Sequence, residues 1–179
     1  MAAYTDTHGF DKGSAAHPAK GQTRVSYVEV VLDFVTITAD RATAGATALA
    51  AGDSLQVISV PANTLVLAVG ATTEVAEGAA STFDIGLTGG DVDLFVDGGD
   101  ANALGTTACN GAGLDGDNQS HYFAAADTID LLLGPTGPAS GVSGKYMSAG
   151  GTGVVRAWAV LQDISDDLGP DEVDRDQLA

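Results

Sequence analysis

A chain of 179 residues with a formal net charge of -17 and a pI near 4.1 suits one domain with tails. Such an acid excess argues against nucleic acid or an anionic membrane surface as a direct partner, because like charges repel on approach. The single cysteine, Cys109, excludes an intramolecular disulfide, and no apolar run has the form of a secretory signal or the roughly 20 residues of a membrane span.

Residues 1–24 are small and polar, with Gly9, Gly13, Pro18 and Gly21 among charges, and read as a flexible N-terminal arm. The first β segment is expected over Tyr27–Thr38. Its alternation puts Val28, Val30, Leu32, Phe34 and Thr36 on one face and Val31, Val35 and Ile37 on the other, so it needs cover on both sides. Residues 41–52 are rich in Ala and Thr and read as a short helix or a loop. Leu55–Val60 is the next strand, stopped at Pro61-Ala62-Asn63, and Thr64–Val69 follows as its expected partner.

Further strands are expected over Ser81–Leu87, Val92–Val96, His121–Ala125, Thr128–Leu133 and Gly153–Ile164. Asp97–Asn118 is rich in Gly, Asp and Asn and reads as a surface loop; Gly134–Gly153 reads as another, anchored by Lys145, Tyr146 and Met147. The acidic stretch 166–179, broken by Gly169 and Pro170, is a C-terminal tail. Short strands with Gly-rich turns and no convincing long amphipathic helix predict an all-β fold, an antiparallel sandwich or jelly roll over 25–165. Trp158 and Tyr27 are expected in its core.

Several segments carry a family likeness. Gly52-Asp53-Ser54-Leu55 enters a strand, and Val60-Pro61-Ala62-Asn63-Thr64-Leu65-Val66 turns into the next. Phe83-Asp84-Ile85-Gly86 and Ala125-Ala126-Asp127-Thr128-Ile129-Asp130-Leu131 supply later strands, and Val154-Val155-Arg156-Ala157-Trp158-Ala159-Val160-Leu161 the long closing strand. Over residues 25–164 this order resembles the jelly-roll decoration, or cement, proteins of tailed-phage capsids, from which the long 97–118 insertion departs. The resemblance implies a homotrimer on the outer surface of an icosahedral shell, made in the host cytoplasm and bound to the major capsid protein. Its role would be mechanical: ligand-like binding to the assembled lattice stabilises that lattice. Alternatives are another virion component, such as a head-fibre base or tail protein, or a carbohydrate-binding module using Tyr122, Phe123 and Tyr146.

No catalytic, cofactor-binding or metal-binding set is expected. Asp91, Asp93, Asp97 and Asp100, and the later Asp115-Gly116-Asp117-Asn118, could in principle bind calcium. The second stretch fails as a calcium loop, with Ser120 where the sharp turn needs Gly and Ala126 where a bidentate Glu should close it. Both read as solvated loops. His8, His17 and His121 are too dispersed for a local zinc motif, and a thiol in an Asp-rich loop makes Cys109 with His121 a poor nucleophilic pair. Gly150-Gly151-Thr152-Gly153 precedes a strand rather than a helix, so it lacks the dipole end that cradles phosphate.

Overall fold

A computed structural model of the chain describes residues 3–4, 13–14, 25–50, 52–78, 81–108, 121–134 and 152–164. In chain order its elements are β1 (Ala3–Tyr4), β2 (Gly13–Ser14), β3 (Val25–Asp33), α1 (Phe34–Thr43), β4 (Ser54–Val60), β5 (Thr64–Val75) and β6 (Thr82–Gly86). They continue with β7 (Val96–Asp100), β8 (Gly105–Ala108), β9 (His121–Phe123), β10 (Asp127–Leu133) and β11 (Val154–Asp163). Sheet I has the order β4-β10-β6-β7, and sheet II the order β3-β11-β5-β8, with β9 also on β5. β10 is inserted between β4 and β6, and β11 between β3 and β5, as a jelly roll requires. The all-β sandwich expected from the sequence is the observed fold.

All pairings among β3 to β11 are antiparallel. β1 and β2 instead lie parallel to β4, with Ala3 opposite Ser54 and Gly13 opposite Ile58. Four residues of the N-terminal arm thus extend sheet I along its β4 edge; the rest of the arm and the 166–179 tail fall outside the described residues.

The core forms where the two sheets face each other. From sheet II, Val28, Val30, Leu32, Val66, Val69, Val155 and Leu161 point inward, with the small Ala71, Ala157 and Ala159 between them. Sheet I answers with Leu55, Ile58, Phe83, Ile85, Ile129, Leu131 and Leu133, most of them fully buried. Small residues on one layer opposite larger ones on the other allow interdigitation at interior packing density.

Four expectations are corrected. The first strand ends at Asp33, and Phe34–Thr43 is helical. The Asp33 carboxylate accepts hydrogen bonds from the backbone N–H of Val35 (3.0 Å) and Thr36 (3.3 Å) and from the Thr36 hydroxyl (2.9 Å), an N-cap that outweighs the β preference of Val35, Thr36 and Ile37. Helical spacing then buries Phe34, Ile37 and Arg41 together, and Arg41 donates to the Thr47 carbonyl through Nε and Nη2.

Second, β4 and β5 are not partners. The Pro61-Ala62-Asn63 turn, with Asn63 at φ 58°, carries the chain from sheet I to sheet II. Third, Val92–Val96 is turn and bend up to Phe95, and the strand starts at Val96. Fourth, 97–108 is not wholly loop, since β7 and β8 are held by pairing with β6 and β5.

Replacing Asp33 by Ala should cost about 1 kcal/mol, the usual size of a lost N-cap, read as a lower denaturant midpoint with an unchanged slope. No change in midpoint would show that tertiary packing alone holds α1.

Candidate functional site

The two sheets differ in what covers their outer faces. On sheet I the outward positions Ser54, Asp84, Gly86, Asp130 and Leu132 are buried. A Cβ at Gly86 would collide with the Asp91 carbonyl and the Val92 backbone, so glycine lets the 87–98 segment lie against the sheet. Leu87 N–H donates to the Asp91 carbonyl (2.8 Å) and Phe95 N–H to that of Ile85 (2.9 Å). The two outward aspartates pin this cover from below. Asp84 Oδ1 accepts from Gly98 N–H at 2.7 Å, and Asp130 Oδ2 from Thr88 N–H at 2.9 Å. The Thr88 and Ser54 hydroxyls meet at 2.6 Å.

Burial, with Asp97 and Asp93 nearby, pushes the Asp84 carboxyl up to about 6, against the Gly98 hydrogen bond that lowers it. Burial also raises Asp130, against hydrogen bonds from Thr128 and Thr88. Asp91 is raised by its hydrogen bond with Asp93 and by burial. Of the acids singled out in the sequence, Asp91, Asp97 and Asp100 are exposed and Asp93 half-buried. Among the described residues no three His, Cys, Asp or Glu converge as a metal site, and no helix is long and apolar enough to cross a membrane. Asp115–Asn118, Cys109, His8, His17 and Tyr146 lie outside the described residues.

Among the described residues nothing comparable covers β3 and β11 on sheet II. Register places Tyr27 opposite Val160, Glu29 opposite Trp158 and Val31 opposite Arg156, all outward. Val25, Tyr27 and Val31 are 61%, 58% and 42% exposed, values far from a core. Trp158 and Tyr27, expected inside, therefore lie on the outer face, because the inward register of β11 is taken by Val155, Ala157, Ala159 and Leu161.

The indole of Trp158 lies over Gly70, where a Cβ would stand 2.5 Å from Cζ2, and stacks on Tyr27 with centroids 6.4 Å apart and planes 24° from parallel. The Tyr27 hydroxyl donates to Glu29 Oε2 (2.9 Å), while Arg156 donates to Glu29 Oε1 (2.9 Å) and Glu74 Oε1 (2.7 Å). Arg156 thus bridges two carboxylates, Asp33 closes the strip opposite Val154, and the other outward side chains on β3 are apolar or aromatic, save for Tyr27's hydroxyl.

At the far edge of β5, Tyr122 is exposed and donates to Asn63 Oδ1 (2.8 Å). Phe123 is buried, with His121 edge-on to it at 5.0 Å and to Phe95 at 5.7 Å, and burial lowers the His121 pKa. Of the aromatics a sugar site would use, Phe123 is thus taken by the core.

No protein-family model matches the chain, and no curated protein is significantly similar to it. Among solved structures it is similar to a chain titled capsid of Ralstonia phage GP4. The identity is 11% and the TM-score 0.49, over 85% of this chain and 91% of that one. A chain of the cyanophage Pam1 capsid asymmetric unit follows at 13% identity and TM-score 0.46, over 83% and 89%.

The raised Asp84 gives the fold an unusual pH response. A carboxyl whose folded pKa lies near 6, against an ordinary value of 3.8, contributes stability that is complete below the ordinary value and lost as pH rises through the folded one. Melting temperature should therefore rise on acidification from neutral pH towards about 4. Asp84→Asn, which keeps an Oδ1 acceptor for Gly98, should flatten that rise and stabilise the neutral-pH fold by at most about 3 kcal/mol. Parallel pH profiles of variant and parent would remove Asp84 as the cause.

Proposed function

We propose that this protein is a structural component of a phage virion that binds the outer surface of the capsid as a homotrimer and stabilises the shell. The observation that carries the reading is the aromatic and aliphatic outer face of sheet II, set on a jelly roll whose other outer face is closed by its own chain. A surface of that kind is suited to joining large bodies, since burying it against a partner removes apolar area from water at roughly 25 cal/mol per Å². The segment order shared with decoration proteins supports the same reading. The work is mechanical and calls for no catalysis, cofactor or metal.

A protein that binds the assembled, expanded lattice and not its separated subunits shifts the lattice equilibrium by its own binding free energy. The acidic surface, at a net charge of -17, would steer it towards basic patches of a capsid protein and away from packaged nucleic acid. Residues 1–24, held to the β4 edge at Ala3–Tyr4 and Gly13–Ser14, would present the arm to the shell.

Mixing the purified chain with expanded capsids that lack it should give saturable density at symmetric outer positions and raise the temperature at which the shells open. Equal binding to unexpanded shells would remove the stabilising logic. Deleting residues 1–24 should leave cooperative unfolding of the β domain intact while weakening shell binding; loss of that cooperativity would place the arm in the folded core instead.

A further inference from the structure

The cover on sheet I begins with a strap, residues 87–94, that is tied down at few points. Its own turn is closed by Leu87 N–H to the Asp91 carbonyl and Gly90 N–H to that of Leu87, with Gly89 in the left-handed conformation (φ 87°). Among the described residues its polar ties to the sheet are both at Thr88. The N–H there meets Asp130 Oδ2 at 2.9 Å, and the hydroxyl meets that of Ser54 at 2.6 Å. Leu87 and Leu94 are only partly buried against the core, whereas Phe95 and Val96, next in the chain, are fully buried and anchor it where β7 begins. The strap can therefore lift between Gly86 and Phe95 without unpairing either sheet.

Four carboxyls are gathered under and within it. Asp130 is 3% exposed, and its Oδ1 is enclosed with no hydrogen-bond partner among the described residues. Ionised, that oxygen stands unsolvated while the strap is down, a cost relieved when water enters. Asp84 is likewise 3% exposed. Asp91 and Asp93 are hydrogen-bonded carboxyl to carboxyl, which requires a proton on one of them.

We infer that residues 87–94 form a pH-gated strap, closed over sheet I in acid and lifting from it as these carboxyls ionise. Lifting would bare Ser54, Asp130 and Leu132, a face separate from the sheet II strip, and the device is independent of the proposed capsid role. The direction follows from the acids themselves. Burial raises Asp84 to about 6 from an ordinary 3.8 and raises Asp130 too, while the hydrogen bond with Asp93 raises Asp91. Groups raised in the closed form stabilise it fully below their ordinary values, and that contribution is lost as pH climbs through the raised ones, near 6 for Asp84.

The surrounding charges reinforce this sense. From β7 Asp97 acts on Asp84, from β10 Asp127 acts on Asp130, and from the strap Asp93 acts on Asp84 and Asp91. β4 brings the neutral Ser54 and Gln56, with Asp53 at its start accepting from Ala50 N–H. The cations among the described residues are Arg41, donating to the Thr47 carbonyl, and Arg156, held by Glu29 and Glu74 on sheet II. His121 lies edge-on to Phe95, and burial lowers its pKa. It therefore favours the folded form as pH rises, opposite to the carboxyls.

The test is native-state hydrogen exchange of the full chain between pH 4.5 and 7.5, with each amide corrected for its intrinsic rate. A carboxyl held one unit above its solvated value adds up to about tenfold to the opening constant once pH passes both values. Protection of the Thr88 amide should therefore fall at least about tenfold across this range. Its exchange should also depend less on denaturant than that of the β11 amides, because only the strap opens. Asp130→Asn keeps an acceptor for Thr88 and should bring Thr88 protection at pH 7.5 close to the parent's acid value. Asp93→Asn, at a half-buried position, leaves that tie intact and should weaken the pH dependence; it carries the test if Asp130→Asn does not melt cooperatively. Thr88 protection that is constant or grows with pH overturns the inference, as does exchange of Thr88 only together with β11. Folded variants that keep the parent's pH dependence overturn it as well.

Discussion

The long strand β11 is the constraint on which the rest depends. It is hydrogen-bonded to β3 from Val154 to Gln162 on one side and to β5 from Val154 to Asp163 on the other. That double pairing fixes which side chains face in, because a one-residue slip would exchange the two faces along the whole strand. With Val155, Ala157, Ala159 and Leu161 committed to the core, Arg156 and Trp158 have no choice but the outer face. Gly70 on β5 makes room for the indole, and Tyr27 on β3 supplies the ring against which it stacks. Core and surface strip are two consequences of one register.

The sheets handle their outer faces in opposite ways. Sheet I is closed by the 87–98 segment, drawn onto it by two buried carboxylates that accept backbone N–H groups from Thr88 and Gly98. Burying those acids raises their pKa values, so the closure is held partly at the expense of charge solvation. Glu77 does related work between the layers: its own N–H donates to the Ala101 carbonyl, and its Oε2 accepts from Thr152 N–H just before β11. Among the described residues sheet II receives no comparable cover over β3 and β11, and the aromatic pair stands on that outer face.

Much of this architecture is legible in the residues. Strands β4, β6, β10 and β11 fall within a residue or two of the alternating runs that announce them, because Gly, Pro and Asn mark their ends. The helix is hidden because Val35, Thr36, Ile37 and Thr38 fit a strand as local types. Its signals are Asp33 placed to cap and the 34, 37, 41 spacing of buried residues. β7 and β8, built from Val96-Asp97-Gly98-Gly99-Asp100 and Gly105-Thr106-Thr107-Ala108, carry no strand pattern of their own, and neighbouring strands impose their form. The sheet to which β5 belongs is likewise invisible locally, since a three-residue turn can join partners or cross between layers. For Trp158, alternation defines two faces without saying which is inner, and both faces of β11 are apolar enough to qualify.

The sequence contains one tryptophan, so intrinsic fluorescence reports on the centre of the sheet II face and nothing else of its kind. If that face is the one the proposed capsid contact covers, Trp158 emission, read as the difference between the mixture and capsids alone, should shift to the blue and be shielded from acrylamide once the chain is bound to expanded capsids. Emission and quenching that stay those of the free chain while it cosediments with the capsids would contradict the account, because the contact would then lie elsewhere.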